Sequence, residues 1–390
     1  MIQKQTPPLP LVLLFVLLIP CWGIAWKPGG DLGVYYKASS WLLNGWVLKL
    51  YTDNAEIGNF FYGPFGLALL KPLSLLSFTS ANYLWLLLQT VAYLWFWRNL
   101  FLIFPELTDR KHWKLFLLVW IVTIKPIHAS FQSHNVQLMF AALLSECEIA
   151  LRSNKKSKNI IGGSVVTLLA SIKIYPSFLA AYYFFKRKTF FTIGLILGVL
   201  ASLVVPMFVF GFSTGASLPL AFVENARKYH AVYDLAKDVV SLSLPSLLAT
   251  WLPKSLLKQG AIGFTVATIS IMLFSWIFLK SPQLKIENER FLWAFVWSMM
   301  GLLNSTTRPD YFIFFVPAFA SLPLMIESKP KKLLFQLGIS ISVILIAFIT
   351  EWTLGSRDLT HYLEGLRVPV LGILLLCYMQ FVSIRNILDK

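Results

Sequence analysis

The segment that follows the first apolar stretch reads Pro28-Gly-Gly-Asp-Leu-Gly-Val-Tyr-Tyr-Lys-Ala-Ser-Ser-Trp-Leu-Leu-Asn-Gly-Trp46. Two glycines followed by an aspartate are typical of a helix start. Beyond Asp31, residues recur on one face of a helix at Tyr35, Ala38, Trp41, Leu42 and Gly45. The pattern predicts a short amphipathic helix on the outer membrane surface. Asp31 is either its N-cap, a functional carboxylate, or both.

The chain on both sides of this segment is unusually apolar. Of its 390 residues, 57% are hydrophobic and 13% are charged, and the mean hydropathy is +0.68. Soluble domains carry about twice that charge, so the composition excludes a soluble, disordered or coiled-coil protein. The net charge of +16 comes from short basic runs between apolar segments, which indicates a positive-inside bias and not nucleic-acid binding. The three cysteines lie in apolar stretches without a CxxC spacing, so they offer neither a disulfide framework nor a zinc site.

The apolar stretches predict an all-α, polytopic integral membrane protein. Residues 9–25 should form a retained signal anchor. Residues 160–185 should form two short helices that meet near Lys173-Ile-Tyr-Pro176, because proline ends a helical pattern. The other predicted spans are 81–104, 113–131, 135–151, 190–210, 261–279, 291–303, 311–326, 333–352 and 366–384, several of which are shorter than the roughly 20 residues of a full span.

The basic runs set the expected orientation. Arg152–Lys158, Lys186–Lys188 and Lys329–Lys332 should face the cytoplasm. Parity then gives about twelve crossings with both termini cytoplasmic, provided that residues 61–76 are re-entrant or interfacial. The chain is expected to be a single domain, 1–390, in a bacterial inner or plasma membrane, with large external loops at about 27–60 and 211–260.

Several motifs in the first half of the chain resemble one known family. They are Asp31-Leu-Gly-Val-Tyr35, Tyr62-Gly-Pro64, His134-Asn-Val-Gln137 and Ala170-Ser-Ile-Lys-Ile-Tyr-Pro176. In this order and spacing they are similar to glycosyltransferase family 87, the polyprenol-phosphate-mannose-dependent mannosyltransferases of the GT-C superfamily. The second half of the chain matches mainly by hydropathy.

The resemblance implies a GT-C fold and an inverting hexosyltransferase. The donor would be a polyprenyl-phosphate sugar, with mannose as the first expectation, and the acceptor a glycan or glycolipid on the external or periplasmic face. Asp31 occupies the position of the family's general base, which takes a proton from the acceptor hydroxyl. No cofactor or metal is expected, because the donor is carried by lipid and the sequence has no Asp-x-Asp or HExxH motif.

The leaving phosphate needs cations, since charge builds on its oxygen as the sugar departs. Lys173, placed between two apolar helices, is the first candidate, with a snorkelling lysine as its structural alternative. Arg308 on an external loop is the second, because its planar fork suits phosphate. Many family members carry histidine in the loop where this sequence has Arg308 and Asp310. The candidate sugar or acceptor contacts are Tyr35, Tyr62, His134, Asn135, Gln137, Tyr175 and Asp310.

Two other classes of protein share this hydropathy. A lipid-linked-sugar transporter or flippase would also contain intramembrane cations, but we detect no repeat halves of the transporter kind. An enzymatically silent scaffold would have no reason to bring Asp31, Lys173 and Arg308 to one external cavity. The carboxylate in an amphipathic first loop favours the enzyme.

Overall fold

A computed structural model of the protein describes residues 8–26, 29–52, 62–186, 188–232, 241–251, 259–280, 288–304, 307–326, 332–349 and 354–388. All regular secondary structure in these ranges is helical. The α-helices are α1 (Pro8–Ala25), α2 (Gly30–Leu43), α3 (Lys49–Thr52), α4 (Pro64–Leu70), α5 (Phe78–Ile103), α6 (Trp113–Ser133), α7 (Gln137–Arg152), α8 (Lys156–Ile172), α9 (Ser177–Phe185), α10 (Thr189–Phe210), α11 (Phe212–Val232), α12 (Leu244–Trp251), α13 (Gln259–Lys280), α14 (Glu289–Leu303), α15 (Val316–Ile326), α16 (Lys332–Ala347), α17 (Arg357–Gly365) and α18 (Val368–Leu388). Short 3-10 helices cover Lys71–Leu75, Pro105–Thr108, Arg110–His112 and Pro309–Phe315.

The predicted helix positions agree well with this list. The amphipathic helix after the first apolar stretch is α2, which buries Tyr35, Ala38 and Leu42 on one face. Trp41 is only half-buried, and Gly45 lies beyond the end of the helix. Helices α8 and α9 end and begin on either side of Lys173–Pro176, as the proline predicted. The broken apolar stretch after Phe61 forms α4 and the 3-10 helix Lys71–Leu75, and Phe61 itself lies outside the described residues.

The predicted number of crossings is not confirmed. Within the described ranges, four helices are long and apolar enough to cross a membrane, and α1 with α2 gives a fifth if the bent pair counts as one span. The four are Phe78–Ile103, Arg110–Ser133, Thr189–Phe210 and Val368–Ile387. Other predicted spans are shorter apolar helices, such as Pro309–Met325 and Leu333–Ala347. The apolar helices identify an integral membrane protein, and about twelve crossings stays a prediction.

The chain divides into two compact units. One comprises Ile19–Asn99 and Ser130–Tyr233 and is called the Asp31 unit; the other comprises Met1–Leu18, Leu100–Ala129 and Asp234–Lys390 and is called the Arg308 unit. Parts of the two predicted external loops, including 53–61, 233–240 and 252–258, lie outside the described residues. A single domain over 1–390 stays a prediction.

The Asp31 unit depends on close packing between α8 and α10. A Cβ atom built on Gly194 would lie 2.1 Å from the carbonyl oxygen of Ile160, and one on Gly198 would lie 2.5 Å from that of Ser164. Small residues four positions apart let two helix backbones approach in lipid, where no hydrophobic force drives helices together. The hydroxyl of Ser164 uses this proximity to donate to the carbonyl of Gly194 at 3.0 Å.

The Arg308 unit is organised around α14, whose residues from Phe291 to Leu303 are all buried. At the start of this helix the guanidinium of Arg290 donates to both carboxylate oxygens of Glu106, at 2.6 and 2.8 Å. A second ion pair joins Lys125 of α6 to Glu364 of α17 at 3.6 Å. Paired charges of this kind are the form in which ionisable groups are tolerated near lipid.

Packing between α8 and α10 generates a test with two matched glycines. Gly194→Ala forces a methyl group onto a backbone carbonyl, and we expect it to cost about 1–3 kcal/mol of stability. Gly23→Ala, in α1, meets no atom within 4 Å and should be neutral or mildly stabilising, since alanine is the better helix former. Thermal unfolding of both variants in detergent measures the difference. Equal melting temperatures for the two would contradict the packing described here.

Candidate active site

Asp31 is held by side chains and does not cap its helix. The N-cap of α2 is Gly29, and Asp31 is the second helical residue, so the expectation that Asp31 is the N-cap is wrong. Its Oδ2 accepts a hydrogen bond from Asn135 Nδ2 at 2.6 Å and another from the Tyr35 hydroxyl at 3.3 Å. These two donors turn the carboxylate away from the backbone amides that a cap would bind. The negative charge still lies in the first helical turn, where the helix dipole favours it.

The amide of Asn135 is itself positioned by a glutamine that the sequence analysis missed. Gln89 of α5 is fully buried, and its Nε2 donates to the carbonyl oxygens of Ser130 at 2.8 Å and Asn135 at 3.1 Å. The Ser130 carbonyl lies in the last turn of α6, and the Asn135 carbonyl lies in the turn that joins α6 to α7. A glutamine among leucines is costly unless it is hydrogen-bonded, which is the signal that could have identified Gln89.

The same turn supports the chain just before Asp31. His134 adopts a left-handed conformation with φ 53°, and its Nε2 lies 3.2 Å from the carbonyl oxygen of Ala25 at the end of α1. Asn82 Nδ2 donates to the carbonyl of Trp26 at 3.3 Å. Burial lowers the pKa of His134, which favours a neutral imidazole in this place. His134 therefore contacts the backbone at the end of α1, in the segment that precedes Asp31.

Two tyrosines connect the surroundings of Asp31 to Lys173. The hydroxyls of Tyr35 and Tyr62 are 2.5 Å apart, and their rings meet edge to face with centroids 5.2 Å apart. Lys173 Nζ lies 4.7 Å from the centroid of the Tyr62 ring. Burial raises the pKa of Tyr62, and the nearby lysine charge offsets part of that rise, so this phenol stays protonated at neutral pH. The Asp31 carboxylate and the Lys173 ammonium thus lie on opposite sides of the hydrogen-bonded Tyr35–Tyr62 pair.

The break between α8 and α9 places Lys173 against the start of α4. The backbone amide of Gly63 donates to the carbonyl of Ile172 at 2.9 Å, and a Cβ on Gly63 would lie 1.8 Å from the carbonyl oxygen of Ser171. Only glycine allows this approach. Tyr175, two residues beyond Lys173, is buried and donates to Oε1 of Gln137. The Lys-x-Tyr-Pro element and the His-Asn-x-Gln element therefore meet through side chains.

Most of the predicted site residues lie in one compact unit, and the other two lie in the second unit. Asp31, Tyr35, Tyr62, His134, Asn135, Gln137, Lys173 and Tyr175 all belong to the Asp31 unit. Arg308 and Asp310 belong to the Arg308 unit, where Arg308 is exposed and Asp310 is buried in the 3-10 helix Pro309–Phe315. Tyr35 and Tyr62 are 1% and 7% exposed, and both their hydroxyls and their rings contact other side chains of the protein.

The sequence pattern of glycosyltransferase family 87 matches residues 60–306, which is more than half of the chain. The chain therefore belongs to glycosyltransferase family 87 and is a membrane glycosyltransferase. The matched range contains Tyr62, Asn135 and Lys173, whereas Asp31 and Arg308 lie outside it. A search of curated proteins finds no match to the chain.

Two adjacent glycines test how α2 is seated. Gly30 has φ +57° and its Cβ position lies 2.3 Å from the carbonyl oxygen of Ser133, whereas a Cβ on Gly29 would meet nothing within 4 Å. We expect Gly30→Ala to lose about 1–2 kcal/mol from the left-handed backbone alone, with the clash added. Gly29→Ala should leave the melting temperature in detergent almost unchanged. A Gly30→Ala protein as stable as the Gly29→Ala control would show that α2 does not rest on the turn at Ser133.

Proposed function

We propose that the protein transfers a hexose, mannose foremost, from a polyprenyl-phosphate donor to a glycan or glycolipid acceptor on the non-cytoplasmic face of the membrane. The configuration at the anomeric carbon inverts, and Asp31 is the general base. Membership of glycosyltransferase family 87 supports the transferase class. The donor, the sugar and the role of each residue are our proposal.

The observation that carries the proposal is how the Asp31 carboxylate is held. Asn135 and Tyr35 both donate to Oδ2. Within the part of the chain that the structure describes, Oδ1 accepts no hydrogen bond, so it can take a proton from an acceptor hydroxyl. Such proton removal by a fixed base is worth about a hundred- to ten-thousandfold in rate. Fixing one oxygen while leaving the other accessible suits a base better than a structural carboxylate.

The leaving phosphate is assigned to Lys173. Its ammonium lies against the Tyr62 ring and not along a helix surface toward solvent, which favours a site role over snorkelling. An ammonium next to an aromatic face is partly desolvated, and there its attraction to a developing phosphate charge is stronger than in water. Arg308, exposed at the start of its 3-10 helix, is proposed as a second donor to phosphate through its planar fork.

The remaining polar groups fit a hydroxyl-rich ligand. Among the described residues, Asn135 Oδ1 and Gln137 Nε2 have no hydrogen-bond partner. An acceptor and a donor of this kind can pair with sugar hydroxyls, which supply both functions. Contacts of His134, Tyr175 and Asp310 with sugar or acceptor are proposed on the same family pattern, and no cofactor takes part.

Asp31→Asn tests the general base. Asparagine keeps the size and can still accept the hydrogen bonds from Asn135 and Tyr35, so the protein should fold normally. We expect transfer of radiolabelled mannose from polyprenyl phosphate to extracted acceptor lipids to fall about a hundred- to ten-thousandfold, with donor binding retained. The matched control is Asp358→Asn, which changes an exposed aspartate at the second position of α17 and should keep wild-type activity.

Two results would contradict this assignment. Retained activity in Asp31→Asn would place the base elsewhere, with Asp310 the next residue to replace. Failure of the wild-type protein to transfer label from any polyprenyl-phosphate sugar would favour a lipid-linked-sugar transporter. Donor glucose should be tested beside mannose, since either hexose fits the chemistry described.

Lys173→Ala tests the phosphate contact. A charge-assisted hydrogen bond in a partly desolvated site contributes about 1.5–3 kcal/mol, so the ratio kcat/KM for the donor should fall by about ten- to a hundredfold. Lys173→Arg should restore part of the loss, because a guanidinium carries the charge with a different reach. Lys37→Ala, which removes an exposed lysine from α2, is the control. If Lys173→Ala and this control have the same donor kinetics, Lys173 is a snorkelling lysine and does not bind phosphate.

A further inference from the structure

A groove on the Asp31 unit lies away from the site described above. It has a volume of about 530 Å³ and is lined by Val91, Leu94, Trp95 and Arg98 of α5 and by Glu146 of α7. The α5 surface that continues from it is apolar and exposed, with Leu84 39%, Leu87 57% and Leu88 41% accessible. On a membrane-spanning helix such a surface faces acyl chains.

Three polar side chains close one end of the groove. Glu146 Oε2 accepts hydrogen bonds from the Trp95 indole at 2.8 Å and from Arg98 Nη1 at 3.2 Å. Arg98 lies five residues before the end of α5 at Ile103, and Glu146 six residues before the end of α7 at Arg152, so the pair lies about 8–9 Å inside those ends at 1.5 Å per residue. The charge pair therefore lies in the last two turns of both helices.

The charge pair keeps hydrogen-bonding capacity on both partners. Among the described residues, Nε and Nη2 of Arg98 donate no hydrogen bond, and Oε1 of Glu146 accepts none. Half of a guanidinium fork is thus available to a phosphate oxygen, and a carboxylate oxygen next to it is available to an N–H donor. A ligand that satisfies both carries an anion and a hydrogen-bonding cation on neighbouring atoms and an apolar tail.

We propose that this groove binds an aminophospholipid of the surrounding bilayer. The lipid phosphate pairs with Arg98, its primary ammonium donates to Glu146 Oε1, and an acyl chain lies along Val91 and Leu94. Phosphatidylethanolamine has this headgroup. Phosphatidylcholine has the same charges but no N–H, and phosphatidylglycerol offers hydroxyl donors but no cation, so neither gives Glu146 a hydrogen bond from a charged donor.

Native mass spectrometry of the full-length protein in detergent tests the proposal. Lipids with identical acyl chains are added singly: phosphatidylethanolamine, its mono-, di- and trimethylated forms, and phosphatidylglycerol. The third methylation removes the last N–H of the headgroup and keeps its positive charge. We expect the affinity to fall about tenfold at this step, because a hydrogen bond to the charged Glu146 is lost.

Variants separate the two ends of the headgroup. Glu146→Gln should abolish the preference for phosphatidylethanolamine over its trimethylated form, and Arg98→Gln should weaken the binding of every phospholipid. Lys114→Gln, which removes an exposed cation from α6, should leave the preference unchanged. Equal binding across the methylation series would identify an ordinary lipid-facing surface, and tighter binding of phosphatidylglycerol would identify a phosphate site built by Arg98 alone. Either result overturns the proposal, and the methylation series on the wild-type protein decides it even if a variant fails to fold.

Discussion

One hydrogen bond, from the amide of Asn135 to the carboxylate of Asp31, joins parts of the chain that are 104 residues apart. It sets the position of α2 relative to the turn before α7. A charged acceptor makes this bond stronger than a neutral one, and an interior of low dielectric strengthens it further. The contact depends in turn on Gln89, whose amide holds both ends of the turn that carries Asn135. The geometry of the candidate site therefore rests on the buried amides of Gln89 and Asn135.

The same requirement, that polar groups near lipid find partners within the protein, accounts for the rest of the site. Tyr35 donates to Asp31 and shares a short hydrogen bond with Tyr62, and Lys173 lies against Tyr62. The Asp31 carboxylate and the Lys173 ammonium are thus separated by the two tyrosines. In the proposed reaction, Asp31 takes a proton from the acceptor hydroxyl and Lys173 stabilises the charge on the leaving phosphate.

Sequence periodicity predicted the helices well because membrane-spanning segments satisfy their backbone internally and show as apolar runs. Proline placed the break between α8 and α9 correctly, and the glycines before Asp31 placed the start of α2. The periodicity did not indicate which side chains form hydrogen bonds with each other. The helix-start pattern offered an N-cap as one of two compatible roles of Asp31, whereas its hydrogen-bond partners are Tyr35, one turn along the same helix, and the distant Asn135. Gln89 was missed because a single amide in an apolar run has no periodic signature.

The range of the family match is informative about the contacts of Asp31. The matched range begins at residue 60 and so excludes Asp31, yet it contains Asn135, which donates to Asp31, and Gln89, which positions Asn135. It also contains Tyr62, which contacts the second donor, Tyr35. Without the Asp31 carboxylate, the buried Nδ2 of Asn135 would lose its acceptor, at a cost of about 1–3 kcal/mol. The matched part of the chain thus carries one side of this interaction, and among the described residues the carboxylate on its other side is that of Asp31, in the segment that begins with Gly29-Gly-Asp31.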